Sequence, residues 1–100
     1  MEVSKNKNKD SLVVAVKGRL DTNTAPELEQ SIMSDLEDVK LLKLDLAELD
    51  YISSAGLRVV LTLHKTMAAR SGSFKVSNPK EEVLEVFDMT GFSSFLNIEE

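Results

Sequence analysis

The sequence predicts an α/β fold: a mixed, mostly parallel sheet with an N-terminal β-hairpin and about three main helices. Three observations carry this. Segments with alternating apolar residues are interleaved with segments of helical periodicity. Helix-start signals stand in front of the periodic segments, and Gly72 and Gly91 follow the second and third of them. Two strand-like segments precede the first helix, which makes the opening a hairpin, while strands separated by helices call for right-handed crossovers and parallel pairing.

Taken in order, Glu2–Lys5 is read as a short first strand and Lys7-Asn8-Lys9-Asp10 as the turn that follows. Ser11–Lys17 (SLVVAVK) is rich in β-branched residues and forms the second strand, ended by Gly18. Thr24-Ala25-Pro26-Glu27 fits a capping box, with Thr24 as cap, Pro26 in the first turn and Glu27 reaching back. Ala25, Leu28, Ile32 and Leu36 then recur at helical spacing. Leu41–Leu46 (LLKLDL) alternates, placing Leu42, Leu44 and Leu46 on one face of a third strand.

Leu57, Val60, Leu61, His64, Met67 and Ala68 form the apolar stripe of a second helix, with Arg58, Thr62, Lys65 and Thr66 opposite. Ser71-Gly72 ends it, and Ser73–Ser77 is a short fourth strand. Asn78, Pro79 and the acidic pair Glu81-Glu82 supply a cap, an N1 proline and a first turn suited to the helix dipole. This third helix runs to about Met89 with Gly91 beyond its end; Phe92, Phe95, Leu96 and Ile98 give apolar cover and a last short strand.

At 100 residues the chain has a single-domain length, residues 1–100, with enough sequence for one modest core. It has no cysteine and one histidine, so disulfides, thiol catalysis and multi-histidine metal sites are excluded and no cofactor is expected. The net charge of −5 and the lack of any Lys/Arg cluster flanked by aromatics argue against nucleic acid as a partner. The polar start MEVSKNKNKD lacks the apolar core of a signal peptide, and no apolar run approaches the ~20 residues of a membrane span. A cytoplasmic domain without membrane insertion, monomeric when free, is expected.

The stretch LDYISSAGLR (Leu49–Arg58) joins the third strand to the second helix. Loops at the C-terminal ends of parallel strands lie along one sheet edge, so Arg19–Asn23 and Asp50–Ala55 should be neighbours, gathering Asp21, Asp50 and Ser54. Ser53 or Ser54 can act simply as the helix N-cap. Alternatively one of them is there to be modified, since a phosphate at a helix N-terminus meets free N–H groups. A hydrolase is a poor reading. The G-x-S-x-G elbow is absent, and His64, the one candidate base, lies ten residues along the helix, about 15 Å from Ser54. His64 falls within the apolar stripe and reads as a partly buried structural residue. Val59 and Leu63, at the border of that stripe, are either isolated surface residues or, with Leu57 and Arg58, a contact patch beside Ser54.

Four motifs, Gly18-Arg19-Leu20-Asp21, Leu44-Asp45-Leu46, Tyr51-Ile52-Ser53-Ser54-Ala55-Gly56-Leu57 and Phe87-Asp88-Met89-Thr90-Gly91-Phe92, resemble in order and spacing those of the anti-sigma factor antagonists, single STAS domains of bacteria. The resemblance implies a partner-switching protein with no enzymatic activity. Unmodified, such a protein binds an anti-sigma factor that is also a serine kinase and releases a sigma factor; phosphorylation abolishes binding, and a PP2C-type phosphatase restores it. The family's acceptor stands two residues before the Gly-Leu pair, which selects Ser54, and Asp21 matches the acidic residue of the neighbouring loop. The partner-binding surface implied is Asp21, Thr22, Asp50, Ser53, Ser54, Ala55, Gly56, Leu57 and Arg58. The acceptor commonly follows an aspartate, where this chain has Ser53, so Ser53 is a rival acceptor. Other STAS domains act as constitutive adaptor subunits without phosphorylation, which is the alternative function.

Overall fold

A computed structural model describes residues 1–100. The chain runs β1 (Glu2–Asn8), β2 (Ser11–Leu20), α1 (Ala25–Met33), β3 (Leu41–Ile52), α2 (Ser54–Ala69), β4 (Ser73–Ser77), α3 (Glu81–Thr90), a 3-10 turn (Phe92–Ser94) and β5 (Asn97–Glu99). The sheet order is β1-β2-β3-β4-β5, with β1 antiparallel to β2 and every other pair parallel. The expected element order and the mixed sheet are both present.

Alternation along the strands sends Leu12, Val14 and Val16 of β2, Leu42, Leu44 and Leu46 of β3 and Phe74 and Val76 of β4 into one core. Leu28 and Ile32 of α1, Val60, Leu63 and Met67 of α2, and Val83 and Phe87 of α3 join the same cluster. The other face mixes half-buried Val13, Ala15 and Leu41 with polar residues, and there Lys43 and Lys75 both reach Glu99, at 3.5 and 3.2 Å.

Several boundaries differ from those expected. The β1 strand extends to Asn8, and the hairpin turn narrows to Lys9-Asp10, with Lys9 at φ +57°. Gly18 does not end β2: at φ +101°, a region glycine enters freely, it carries the strand on to Leu20. The β3 strand continues to Ile52 because it absorbs two β-bulges. Leu46 and Ala47 oppose Val16 alone, and Asp50 is extra between the Gly18–Leu49 and Arg19–Tyr51 pairs. Asp50 and Tyr51 therefore belong to the strand, and the expected Asp50–Ala55 loop shrinks to Ser53.

Two caps also differ. Thr24 makes no side-chain cap to α1; its hydroxyl instead donates to the Arg19 carbonyl at 2.9 Å and accepts the Asp21 N–H at 2.9 Å. Asn78 sits at φ +55° and reaches toward Asp45, so α3 begins after Lys80 with no side-chain cap. Gly91 does terminate α3 in the left-handed conformation, at φ +83°. The apolar arc of α2 is rotated from the expected stripe. Val59 and Leu63 are buried while Ala68 is exposed, because α2 packs against α1 as well as β3 and β4. Val59 and Leu63 are thus core residues, and no surface patch forms from them.

Candidate functional site at the head of α2

The site is built where β2 and β3 end side by side. The Ser53 N–H donates to the Leu20 carbonyl at 2.9 Å, continuing the β2–β3 ladder by one bond, and the Ser53 carbonyl accepts the Leu57 N–H at 2.9 Å. One residue thus connects strand to helix. Its backbone is extended (φ −93°, ψ 177°), and its hydroxyl accepts the Gly56 N–H at 3.2 Å. Ser53 is the N-cap, as the preference for serine at that position anticipates.

Ser54 is the first residue of α2 and is exposed. Ala55 is half-buried against the core, Gly56 and Leu57 are buried, and Arg58 is exposed one turn beyond Ser54. The missing side chain of Gly56 lets α2 seat directly on Leu20 and Ile52. Gly56 and Leu57, expected on the partner surface, act from beneath it and set the height and register of the helix.

Asp21 closes the neighbouring turn. Its carboxylate accepts the N–H groups of Asn23 (3.0 Å) and Thr24 (3.1 Å), and its carbonyl accepts the Ala25 N–H (2.8 Å). Asp21 thereby closes the turn that leads into α1, while the expected Thr24 cap of the helix itself does not form. The Thr24 N–H in particular, with Asn23, the Thr24 hydroxyl and Arg19 assisting, holds the Asp21 carboxyl below the usual aspartate range. Thr22 lies exposed on this turn. Asp50, turned out by its bulge, meets the Lys80 ammonium at 2.5 Å. This hydrogen bond and the Lys80 charge lower the Asp50 pKa, with Arg19 and Lys17 contributing; in return Asp50 raises that of Lys80. Between the two acids, the Arg19 guanidinium lies over the Tyr51 ring, 4.1 Å from its centroid.

The sequence model of the STAS domain matches residues 2–100. This chain belongs to the STAS-domain family. BtrV of Bordetella bronchiseptica, assigned as an anti-sigma factor antagonist, is 33% identical to this STAS domain over 99 residues, covering 98% of this chain and 85% of that one. The anti-sigma-B factor antagonist of Bacillus subtilis is 28% identical over 98 residues, covering 98% and 90%. Among solved structures, the unphosphorylated anti-sigma factor antagonist SpoIIAA superposes with a TM-score of 0.85 at 19% identity, covering 97% of this chain and 87% of that one. The phosphorylated form of SpoIIAA gives 0.77 at 18% identity, covering 97% and 90%. At these identities the structural likeness speaks for the fold.

The topology brings the Asp21–Thr24 turn and the Ser53–Arg58 segment of the STAS domain together through the Ser53–Leu20 bond. The expected acidic surface is modified in two respects: Asp50 faces Lys80, and the Asp21 carboxylate is turned onto backbone N–H groups. Two elements escaped sequence reasoning, the Arg19–Tyr51 stack and the Asp50–Lys80 pair. Both depend on the bulged β2–β3 register, which spacing does not encode. His64, half-buried, packs its ring against Phe95 at 5.0 Å, on the α2 face next to the 3-10 turn and far along the helix from Ser54.

Proposed function

We propose that this STAS domain is an anti-sigma factor antagonist switched by phosphorylation at Ser54. Unmodified, it binds an anti-sigma factor serine kinase through the exposed residues among Asp21, Thr22, Asp50 and Ser53–Arg58, and so releases a sigma factor. The kinase transfers the γ-phosphoryl group of ATP to Ser54 Oγ; a new P–O bond forms, the hydroxyl proton leaves, and ADP departs. A PP2C-type phosphatase hydrolyses the ester and restores binding. The domain itself acts by association and not by catalysis.

One observation carries the reading: the two serines divide the labour, Ser53 capping α2 through Gly56 while Ser54 stands exposed beside it. A phosphate on Ser54 leaves the cap intact, whereas one on Ser53 would disturb it. The bacterial relatives that carry the anti-sigma factor antagonist name support the partner class. A phosphoserine carries about −1.5 to −2 charges. Opposed to a partner carboxylate at ~4 Å and an effective dielectric of ~20, each charge pair costs about 4 kcal/mol before screening. Since about 1.4 kcal/mol is a tenfold change in affinity, even a strongly screened repulsion dismisses a partner.

The test is the intact mass of the protein isolated from its own cells, with the site mapped by fragmentation. A singly phosphorylated form mapping to Ser54, and missing from Ser54→Ala, is expected. Ser53 at the position where the family commonly has aspartate favours the second reading, a constitutive adaptor subunit. Only unmodified protein across growth and stress conditions would select that reading, and phosphate on Ser53 would reassign the acceptor.

A further inference from the structure

Charge is segregated among the three helices. Helix α1 carries Glu27 and Glu29 and no basic residue; α3 carries Glu81, Glu82, Glu85 and Asp88 and again none. Helix α2 is the reverse, with Arg58, His64 and Lys65 and no acidic residue, in a chain of net charge −5. Arg58 is exposed, and none of the chain's six ion pairs includes it. The nearby carboxylates of the site are already engaged, Asp50 by Lys80 and Asp21 by the Asn23 and Thr24 N–H groups. Ser54 precedes Arg58 by four residues within one continuous helix, and both are exposed. Residues four apart are neighbours on a helix surface, and an anion placed N-terminal to its cation is the more favourable order. A guanidinium binds phosphate oxygens in a fork of two parallel hydrogen bonds.

From this arrangement we infer that Arg58 is the intramolecular clamp of phosphorylated Ser54: free in the unmodified protein, it folds back one turn onto the phosphate. The modification then changes the outer face of α2 twice. It adds negative charge at Ser54, and it withdraws the free cation at Arg58 from any partner that meets that face. The inference rests on Ser54 as the acceptor, but the clamp can be measured without the kinase, on protein with phosphoserine installed at position 54 by translational incorporation. Failure of the clamp is thus distinguishable from failure of the switch in cells.

The measurement is a phosphorus NMR titration of the phosphoserine-54 protein at low salt, for the parent and for Arg58→Ala, Arg58→Lys and Lys65→Ala, with circular dichroism to verify the fold. A nearby cation favours the dianion and lowers the second phosphate pKa, ordinarily about 6. Arg58→Ala is expected to raise the midpoint by a few tenths of a pH unit. Arg58→Lys should raise it by less, Lys65→Ala should leave it in place, and salt should erase the difference. A midpoint unchanged in Arg58→Ala, or moved equally by Lys65→Ala, would overturn the clamp.

Discussion

Gly56 of α2 approaches Leu20 of β2 so closely that a β-carbon on it would lie 2.9 Å from Leu20 Cγ and 3.1 Å from the Leu20 carbonyl oxygen, with Ile52 Cγ1 at 2.8 Å. The position sets how deeply the head of α2 sits, and so where Ser54 stands above the ends of the strands.

Gly56→Ala tests this seating. Helix propensity favours alanine by about 1 kcal/mol, but overpacking a tight contact costs about 1–3 kcal/mol, and the Leu20 backbone has little room to yield. A net loss is expected, read as a lower urea midpoint with an unchanged slope. A midpoint at or above that of the parent would mean that α2 lifts freely.

Ser53 and Ser54 should separate in stability alone. Ser53→Ala removes the bond to the Gly56 N–H and should cost about 1 kcal/mol. Ser54→Ala, at an exposed position outside the cap, should stay within about 0.5 kcal/mol of the parent. Ser53→Asp retains a cap acceptor and should recover most of the loss. Equal effects of the two alanines in urea unfolding would refute the division of labour.

Arg19 and Tyr51 should be energetically coupled. A cation over an aromatic ring at an exposed site contributes about 0.5–1 kcal/mol, so a double-mutant cycle of Arg19→Ala and Tyr51→Ala should return a coupling of that order. A coupling of zero would make the stack incidental.

The Asp50–Lys80 pair should shape stability at both ends of the pH scale. The pKa of Asp50 is lowered by Lys80, so its contribution is present above the unfolded aspartate value of about 4 and fades as pH falls through the folded one. That of Lys80 is raised by Asp50, so its contribution is complete below about pH 10.4 and fades as pH rises through its folded value. The stability difference between the parent and Lys80→Ala should be widest between those limits. Both groups are solvent-exposed, so the difference should shrink in high salt. Carboxyl NMR should show Asp50 titrating nearer its ordinary value in Lys80→Ala; no movement would break the assignment.

Under the proposed switch, Ser54→Asp should fold as the parent does yet bind the proposed anti-sigma factor partner at least tenfold more weakly, measured by calorimetry, while Ser54→Ala binds normally. Equal affinity of the aspartate variant and the parent would contradict an electrostatic switch.

The order of elements was legible because the β2 run Ser11–Lys17, the alternation of Leu42, Leu44 and Leu46, and the stop at Gly91 each have a local cause. The location of the two serines was legible for the same reason: they lie between the alternating Leu41–Leu46 segment and the helical stripe that starts at Leu57, although the extension of β3 to Ile52 was not. What escaped depends on partners distant in sequence. The bulges in β3 compensate its phase against β2, so that Leu49 and Ile52 are buried although strict alternation from Leu46 would not bury Leu49. Packing against α1 in addition to the sheet draws Val59 and Leu63 inward. Thr24 has a cap's identity, but its hydroxyl is already engaged by the Arg19 carbonyl and the Asp21 N–H.

Because Ser53 alone joins β3 to α2, bonded to Leu20 on one side and to Leu57 on the other, Ser54 has no loop in which to be drawn out. An enzyme that modifies it must accept a folded contour and cannot thread the segment through its cleft as an extended peptide. A short synthetic peptide spanning Tyr51–Arg58 would offer the right letters without the shape, and should be ignored by an enzyme that reads the intact domain well.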